Sequence, residues 1–159
     1  MILLTPIGRI RSPFKEPAEV PIQPRFSSAR GEVEVFRRYS AGLRDIDGFS
    51  HIILLYHFDE SRRTELLVRP YLDRQTRGVF ATRSPHRPNH IGLSVVRLLR
   101  RRGSTLYVEG VDVIDRTPLF DIKPHVPQFD GRGDVRLGRL EGKLNGGGSA
   151  TARCPPGNR

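Results

Sequence analysis

Cysteine occurs once, at Cys154, which excludes an internal disulfide framework, and no Cys/His spacing has the form of a structural zinc site. A reducing compartment is expected. No apolar run approaches the roughly twenty residues a membrane-spanning helix needs. The apolar start, MILLTPIGRIRS, lacks a charged leader segment and is interrupted at Pro6 and Gly8, so a cytoplasmic location with no membrane partner is expected. The usual catalytic signatures are missing as well. There is no phosphate-binding Walker loop, no H-E-x-x-H, no Asp/His cluster of metal-binding type and no distinctive Ser/His/Asp order. Hydrolysis by a nucleophile therefore draws little support, and no metal is expected. GRGDVR, residues 131–136, fails the G-x-G-x-x-G spacing at its last position and opens no helix.

What the chain has in excess is positive charge. Lys and Arg total 27 against 17 Asp and Glu, a formal charge of +10 and a pI near 10.9, with Arg supplying most of the surplus. That balance favours an anionic partner, nucleic acid first, because guanidinium groups suit phosphate forks and base stacking. At 159 residues the chain suffices for one domain with a real core.

Long amphipathic helices are also lacking, and short apolar runs punctuated by Gly and Pro take their place. Residues 2–12 read as a first strand ending near Ser12, and GEVEVF, 31–36, as a half-buried one. Between them the prolines at 13, 17, 21 and 24 rule out a helix and present Lys15, Gln23 and Arg25 from a stiff, extended connection. YSAGLRDIDG supports at most a short helix. FSHIILLYHFDE is the clearest core strand; alternation places Ile52, Leu54, Tyr56 and Phe58 on one face and His51, Ile53, Leu55 and His57 on the other. Its exit carries Asp59 and Glu60, better functional candidates than either His. Residues 61–77 read as a long exposed loop, Leu93–Leu99 as a strand running into a solvated hairpin tip at Arg100–Arg102, and Thr105–Asp115 as one bent strand or two with Gly110 at the bend. In DRTPLFDIKPH, Asp121 and Lys123 share a strand face. Seven or eight short strands without strand–helix alternation predict an all-β dominated fold, a barrel or sandwich. The domain is expected over 1–130 and a flexible, basic Gly/Arg-rich tail over 131–159.

One stretch exceeds what a turn requires. GVFATRSPHRPNHIGLS, 78–94, sets Arg83, His86 and Arg87 between the apolar runs Val79–Ala81 and Ile91–Val96, adding donors and charge where Gly, Pro and Asn alone would turn the chain. It reads as a binding loop, although the same composition would also serve a rigid, solvated one. Polar residues elsewhere gather at strand ends. A barrel that brings those ends together forms a pocket with both acidic and basic groups, suited to a zwitterionic ligand beside a polyanion.

IGRIRSPFKEP, GFSHIILLYHF, GVFATRSPHRPNHIGLS and DVIDRTPLFDIKPHVP resemble, in order and spacing, the signature segments of the TrmO/TsaA-like family over about residues 5–130. The resemblance implies a single-sheeted β-barrel that uses S-adenosyl-L-methionine to methylate N6 of threonylcarbamoyl-adenosine beside the anticodon of tRNA, working as a homodimer with the cofactor near the subunit contact. By position it puts cofactor contacts on Pro24, Arg25 and Phe26, on Asp59 and Glu60, on Arg83 and Leu93, and on Asp112, Val113, Ile114 and Asp115. Asp115 and Asp121 become candidates for accepting the acceptor's proton, and Arg11, Lys15, Arg87, Asn89 and Lys123 for holding tRNA. The chain departs from the family pattern at His90, where Pro is usual, at Arg116, in place of a turn Gly, and at His125, in place of Tyr. It also lacks the longer C-terminal domain of many bacterial members. Two alternatives keep the barrel without this chemistry: a non-catalytic RNA-binding module and a small-molecule methyltransferase.

Overall fold

The structure, a computed structural model, describes residues 1–21, 27–70 and 73–143. Its frame is a closed antiparallel barrel of six strands: β1 (Gly8–Arg11), β2 (Arg30–Val35), β3 (His51–His57), β6 (Ile91–Arg102), β7 (Thr105–Glu109) and β8 (Thr117–Pro124). Around the barrel the order is β1-β2-β7-β6-β3-β8, and β8 returns to β1. Closure leaves no sheet edge open. Two short strands outside it, β4 (Leu67–Val68) and β5 (Arg77–Gly78), pair with each other within the excursion between β3 and β6.

The barrel interior follows from alternation. Along β3, Ile52, Leu54 and Tyr56 are buried while their neighbours are not, and β6, β7 and β8 repeat the pattern with Val96, Leu98, Leu106, Val108 and Leu119. Each fully buried aliphatic contributes about 1.5–3 kcal/mol relative to exposure. Ile10, Val33 and Val35 complete this wall, and Val111 and Val113 pack against it. Gly92 is demanded by the packing, because a Cβ there would overlap the Tyr56 ring.

Several sequence expectations need correction. β1 starts only at Gly8, and Ile2, Leu3 and Leu4 are exposed. The apolar run Val79–Ala81 forms a 3-10 turn. The 61–77 segment is not wholly an exposed loop: it supplies β4 and β5, with Val68 and Asp73 buried. Arg100–Arg102 belong to β6 itself, and the hairpin turns at Gly103–Ser104. The second half of Thr105–Asp115 is not strand; Gly110, at φ 95°, ends β7 and sends Val111–Asp115 across the barrel end. Within the expected tail, residues 131–143 are described and include a 3-10 turn at Gly138–Leu140, from which Arg139 reaches Asp73; residues 144–159 lie outside the described residues. No helix among the described residues is long and apolar enough to cross a membrane.

Candidate active site

Antiparallel registers decide which strand ends meet. Arg11 pairs with Glu32, Arg30 with Glu109, His57 with Ile91, and Ile10 with Thr117. One end of the barrel, the mouth, therefore gathers the exits of β1, β3 and β7 and the entries of β2, β6 and β8. Lys15, Asp59, the 83–90 loop and Asp112–Asp115 all issue from it.

Asp115 is the charged centre of the mouth. Its side chain is 8% exposed. Oδ1 accepts from Arg11 Nε and from the Ser12 amide, each at 3.0 Å, and Oδ2 accepts from Lys15 Nζ at 2.6 Å. Burial alone would raise its pKa, but the bonds from Lys15, Ser12 and Arg11 outweigh burial and hold it at about 2. The same carboxylate raises Arg11. A group this acidic stays ionised and is a poor proton acceptor near neutrality. Its chemical capacity is to fix two cations, and Arg11 is shared with Glu34 at 3.6 Å.

The turn that aims Asp115 is strained. Thr117 N bonds Ile114 O at 3.3 Å, closing a four-residue turn whose third position, Arg116, has φ 70°. That is the position at which type II turns require a left-handed residue. Arg adopts it at a cost of about 1–2 kcal/mol, and the backbone bonds Asp115 N to Phe14 O and Arg116 N to Ile10 O hold it in place. A Gly at this position, as in the family pattern, would adopt the left-handed conformation without that cost.

Beneath this layer lies a polar chain of which sequence reasoning singled out only Asp112. Ser94 Oγ donates to Asp112 Oδ1, so its single proton is used and the 2.9 Å contact to Tyr56 must have Tyr56 OH as donor. All three side chains are buried. The available signal was a serine at an inward position of β6, in register with Leu54.

The 78–94 loop is built as a rigid body. Thr82 Oγ1 donates to Val79 O and accepts from Ser84 N, and Ser84 Oγ accepts from His86 N. His86 Nδ1 lies 3.0 Å from Ser61 Oγ, tying the loop to the exit of β3. Arg87 bonds within the loop: Nη1 reaches Thr82 O at 2.9 Å and Ser84 O at 3.2 Å. Through Nη1 the guanidinium closes the loop, while the side chain stays partly exposed. Arg87→Ala is expected to lower unfolding free energy by about 1–2 kcal/mol and to raise amide exchange across 82–90, read by denaturation and hydrogen exchange. Arg83 is half-buried in the same loop, while Asn89 is exposed at its tip.

His90 has φ 48°. Its amide donates to Arg87 O at 3.1 Å, and its Nδ1 lies 2.9 Å from Pro85 O. Proline, with φ locked near −65° and no N–H, could make neither the turn nor the amide bond. The residue in this chain and the local backbone agree with each other and depart together from the family pattern.

Asp59 and Glu60 stand exposed at the rim after β3. Desolvation of the Asp59 carboxyl, with the charge of Glu60 as a smaller contribution, raises its pKa, the opposite of Asp115. Leu93, Asp121 and Lys123 do not join the mouth. They lie on the outer wall, where Leu55 pairs with both Leu93 and Asp121 and Ile53 pairs with Lys123. Asp121 Oδ2 holds Lys123 Nζ at 2.8 Å. Val113 is buried and Ile114 partly so. Pro24, Arg25 and Phe26 lie outside the described residues.

A closed six-stranded barrel with a mixed-charge mouth and a rigid basic loop beside it defines a ligand-binding barrel of the kind the signature segments imply. Residues 9–131 match the family model of the tRNA-methyltransferase O N-terminal domain, and the chain belongs to that family. It is 56% identical over 142 residues to a probable S-adenosyl-L-methionine-binding protein of Pyrococcus abyssi, covering 89% of this chain and 77% of that one. A tRNA (adenine(37)-N6)-methyltransferase of Mus musculus is 35% identical, over 81% of this chain but only 32% of the mouse protein. Among solved structures, TrmO from Pseudomonas aeruginosa superposes with a TM-score of 0.74 at 38% identity, over 87% of this chain and 62% of that one.

Proposed function

We propose that this chain is an S-adenosyl-L-methionine-dependent tRNA methyltransferase that modifies N6 of an adenosine beside the anticodon, with threonylcarbamoyl-adenosine as its substrate. Membership of the tRNA-methyltransferase O family carries this reading. The names of the Pyrococcus and mouse relatives supply the cofactor and the class of base. The donor set at the mouth fits the cofactor chemically: Asp59 and Glu60 offer carboxylates to an ammonium, and Arg83 offers a guanidinium to a carboxylate. When bound, S-adenosyl-L-methionine supplies an electrophilic methyl group on a sulfonium.

The residues of the chain have to position the acceptor nitrogen, exclude water and receive a proton. That nitrogen is conjugated to a carbonyl, so a carboxylate of raised pKa is the better acceptor. Asp115, held at about 2, does not fill that role; it fixes Arg11 and Lys15 where a phosphate or the threonyl carboxylate would lie. The partly exposed aliphatic strip on the outer wall, Ile53, Leu55, Ile91, Leu93 and Val95, is the face we assign to a homodimer contact.

Incubating the protein with S-adenosyl-L-methionine and threonylcarbamoyl-modified tRNA, followed by nucleoside mass spectrometry, is expected to add one methyl group to the modified base. Arg83→Ala is expected to abolish it while the barrel stays folded by circular dichroism. Cofactor uptake by calorimetry without any methylated nucleoside would favour a different methyl acceptor. No uptake at all would favour the RNA-binding module.

A further inference from the structure

A formal charge of +10 has to be displayed somewhere, and the mouth is not where most of it is free. There Arg11 and Lys15 are held by Asp115. Elsewhere Lys123 is held by Asp121, Arg77 by Asp73 and Arg9 by Glu34. The opposite end of the barrel is different. It is formed by the β6–β7 hairpin and by the loop after β2, whose 3-10 turn spans Arg37–Leu43. The two are joined by Val35 N to Ser104 O at 3.0 Å and by Arg101 Nη1 to Leu43 O at 2.8 Å. They bring together Arg37, Arg38, Arg44, Arg100, Arg101 and Arg102. Among the described residues none of these six has a carboxylate within ion-pair distance, although Asp45 and Asp47 lie in the same loop.

Three of the six are already oriented, the first being Arg38, which lies over the Tyr39 ring at 4.8 Å. Arg101 bonds Gly103 O at 2.8 Å as well as Leu43 O, and Arg100 lies over the Tyr107 ring at 4.2 Å. Ordering entropy has thus been spent before any ligand arrives. A shallow depression of about 490 Å³ opens here, lined by Ser40, Ala41, Arg44, Asp45 and Arg101. We propose that this end of the barrel is a second contact for RNA, gripping backbone phosphates away from the nucleotide that enters the mouth. β3 separates the two ends by about 20 Å at roughly 3.3 Å per residue. A polyanion engaging both must therefore extend well beyond one nucleotide, as a folded tRNA does. Guanidinium forks without carboxylate partners suit phosphate oxygens, and such contacts anchor an RNA without reading its sequence. The proposal rests on the tRNA reading of the mouth only in taking the RNA to be the same molecule.

The test uses Arg37→Ala, Arg44→Ala and Arg102→Ala combined in the full chain; all three side chains are exposed, and Arg101, which bridges the hairpin to the loop, is kept. Direct titration with unmodified tRNA, without cofactor, over a salt series is expected to show at least tenfold weaker binding. The slope of log affinity against log salt is expected to be shallower by about 2, as when two to three phosphate contacts are lost. In methylation assays KM for tRNA is expected to rise with kcat unchanged. Unaltered affinity and slope would overturn the proposal even if the protein methylates tRNA. Conversely, a wild-type protein that binds tRNA in this patch-dependent way but methylates nothing would overturn the proposed activity and leave the second contact standing. A fall in kcat at saturating tRNA with an unchanged salt slope would also overturn it, since that places these residues in the chemistry rather than in RNA capture.

Discussion

Replacing Asp115 by alanine is expected to lower the unfolding free energy by about 2 kcal/mol at pH 7, and the loss should shrink as the solution is acidified. The magnitude lies below the roughly 3–5 kcal/mol typical of breaking a fully buried ion pair, because Arg11 and Lys15 are 42% and 66% exposed and water recovers part of their solvation. The Ser12 amide loses its acceptor as well. The pH dependence has a definite sign. The carboxyl titrates at about 2 when folded, against 3.8 as its ordinary value, so the unfolded chain binds its proton first as pH falls. The stabilisation is complete above about pH 4 and disappears as pH drops through the folded value. Urea titrations of wild type and Asp115→Ala at pH 7, 4 and 3 should therefore converge toward the acid side. A gap between the two proteins that stays constant with pH would remove Asp115 from the role of ionised hub. Asp115→Asn, which keeps an acceptor for Ser12 but no charge, should fall between the two at pH 7.

Gly92→Ala is the second large effect, and it arises from packing alone. The added methyl would overlap the Tyr56 ring and come within 2.8 Å of Phe58 Cζ. Neither neighbour can swing aside cheaply. Tyr56 is 2% exposed, its hydroxyl donates to Ser94, and Phe58 meets it edge-on at 5.3 Å. Overpacking of this kind costs about 3 kcal/mol, and displacing Tyr56 would break the Tyr56–Ser94–Asp112 chain under the mouth. Thermal denaturation should show the loss. Gly78→Ala serves as the control, since nothing lies within 4 Å of its added Cβ and its φ is −61°. A Tyr56→Leu, Gly92→Ala double variant should recover stability relative to Gly92→Ala alone, whereas Tyr56→Phe, which keeps the ring, should not. Equal effects of Gly92→Ala and Gly78→Ala would mean that the Tyr56 ring is not the constraint.

Much of the barrel was legible because its strands obey a two-residue period. FSHIILLYHFDE announces which of its side chains face inward, and the burial of Ile52, Leu54 and Tyr56 follows it. The segments that departed from expectation are those where local pattern is silent about partners. Val79–Ala81 has the composition of a strand, but no strand of the barrel pairs with it, and it curls into a 3-10 turn. Asp73 reads as one acid in an Arg-rich loop. In the fold it is buried and draws Arg77, Arg139 and Lys143 toward one carboxylate, from positions as far apart as 73 and 143. Arg87 shows only its formal charge in the sequence, while the carbonyls that engage its Nη1 appear only once the loop has closed.

By itself, then, the sequence determined the class of fold and the family, since alternation, turn residues and signature spacing are local properties that survive without coordinates. Only the tertiary structure decided what the charges do. Asp115 and Asp59 are both carboxylates beyond strand ends, yet donors from residues a hundred positions away hold one at about 2, while desolvation raises the other. Among the described residues, the arginines of the far end lack carboxylate partners only because the folded loop keeps even Asp45 and Asp47 outside ion-pair distance of them. Interaction energy depends on distance and solvent exposure, and neither can be read until strands remote in the chain have been set side by side.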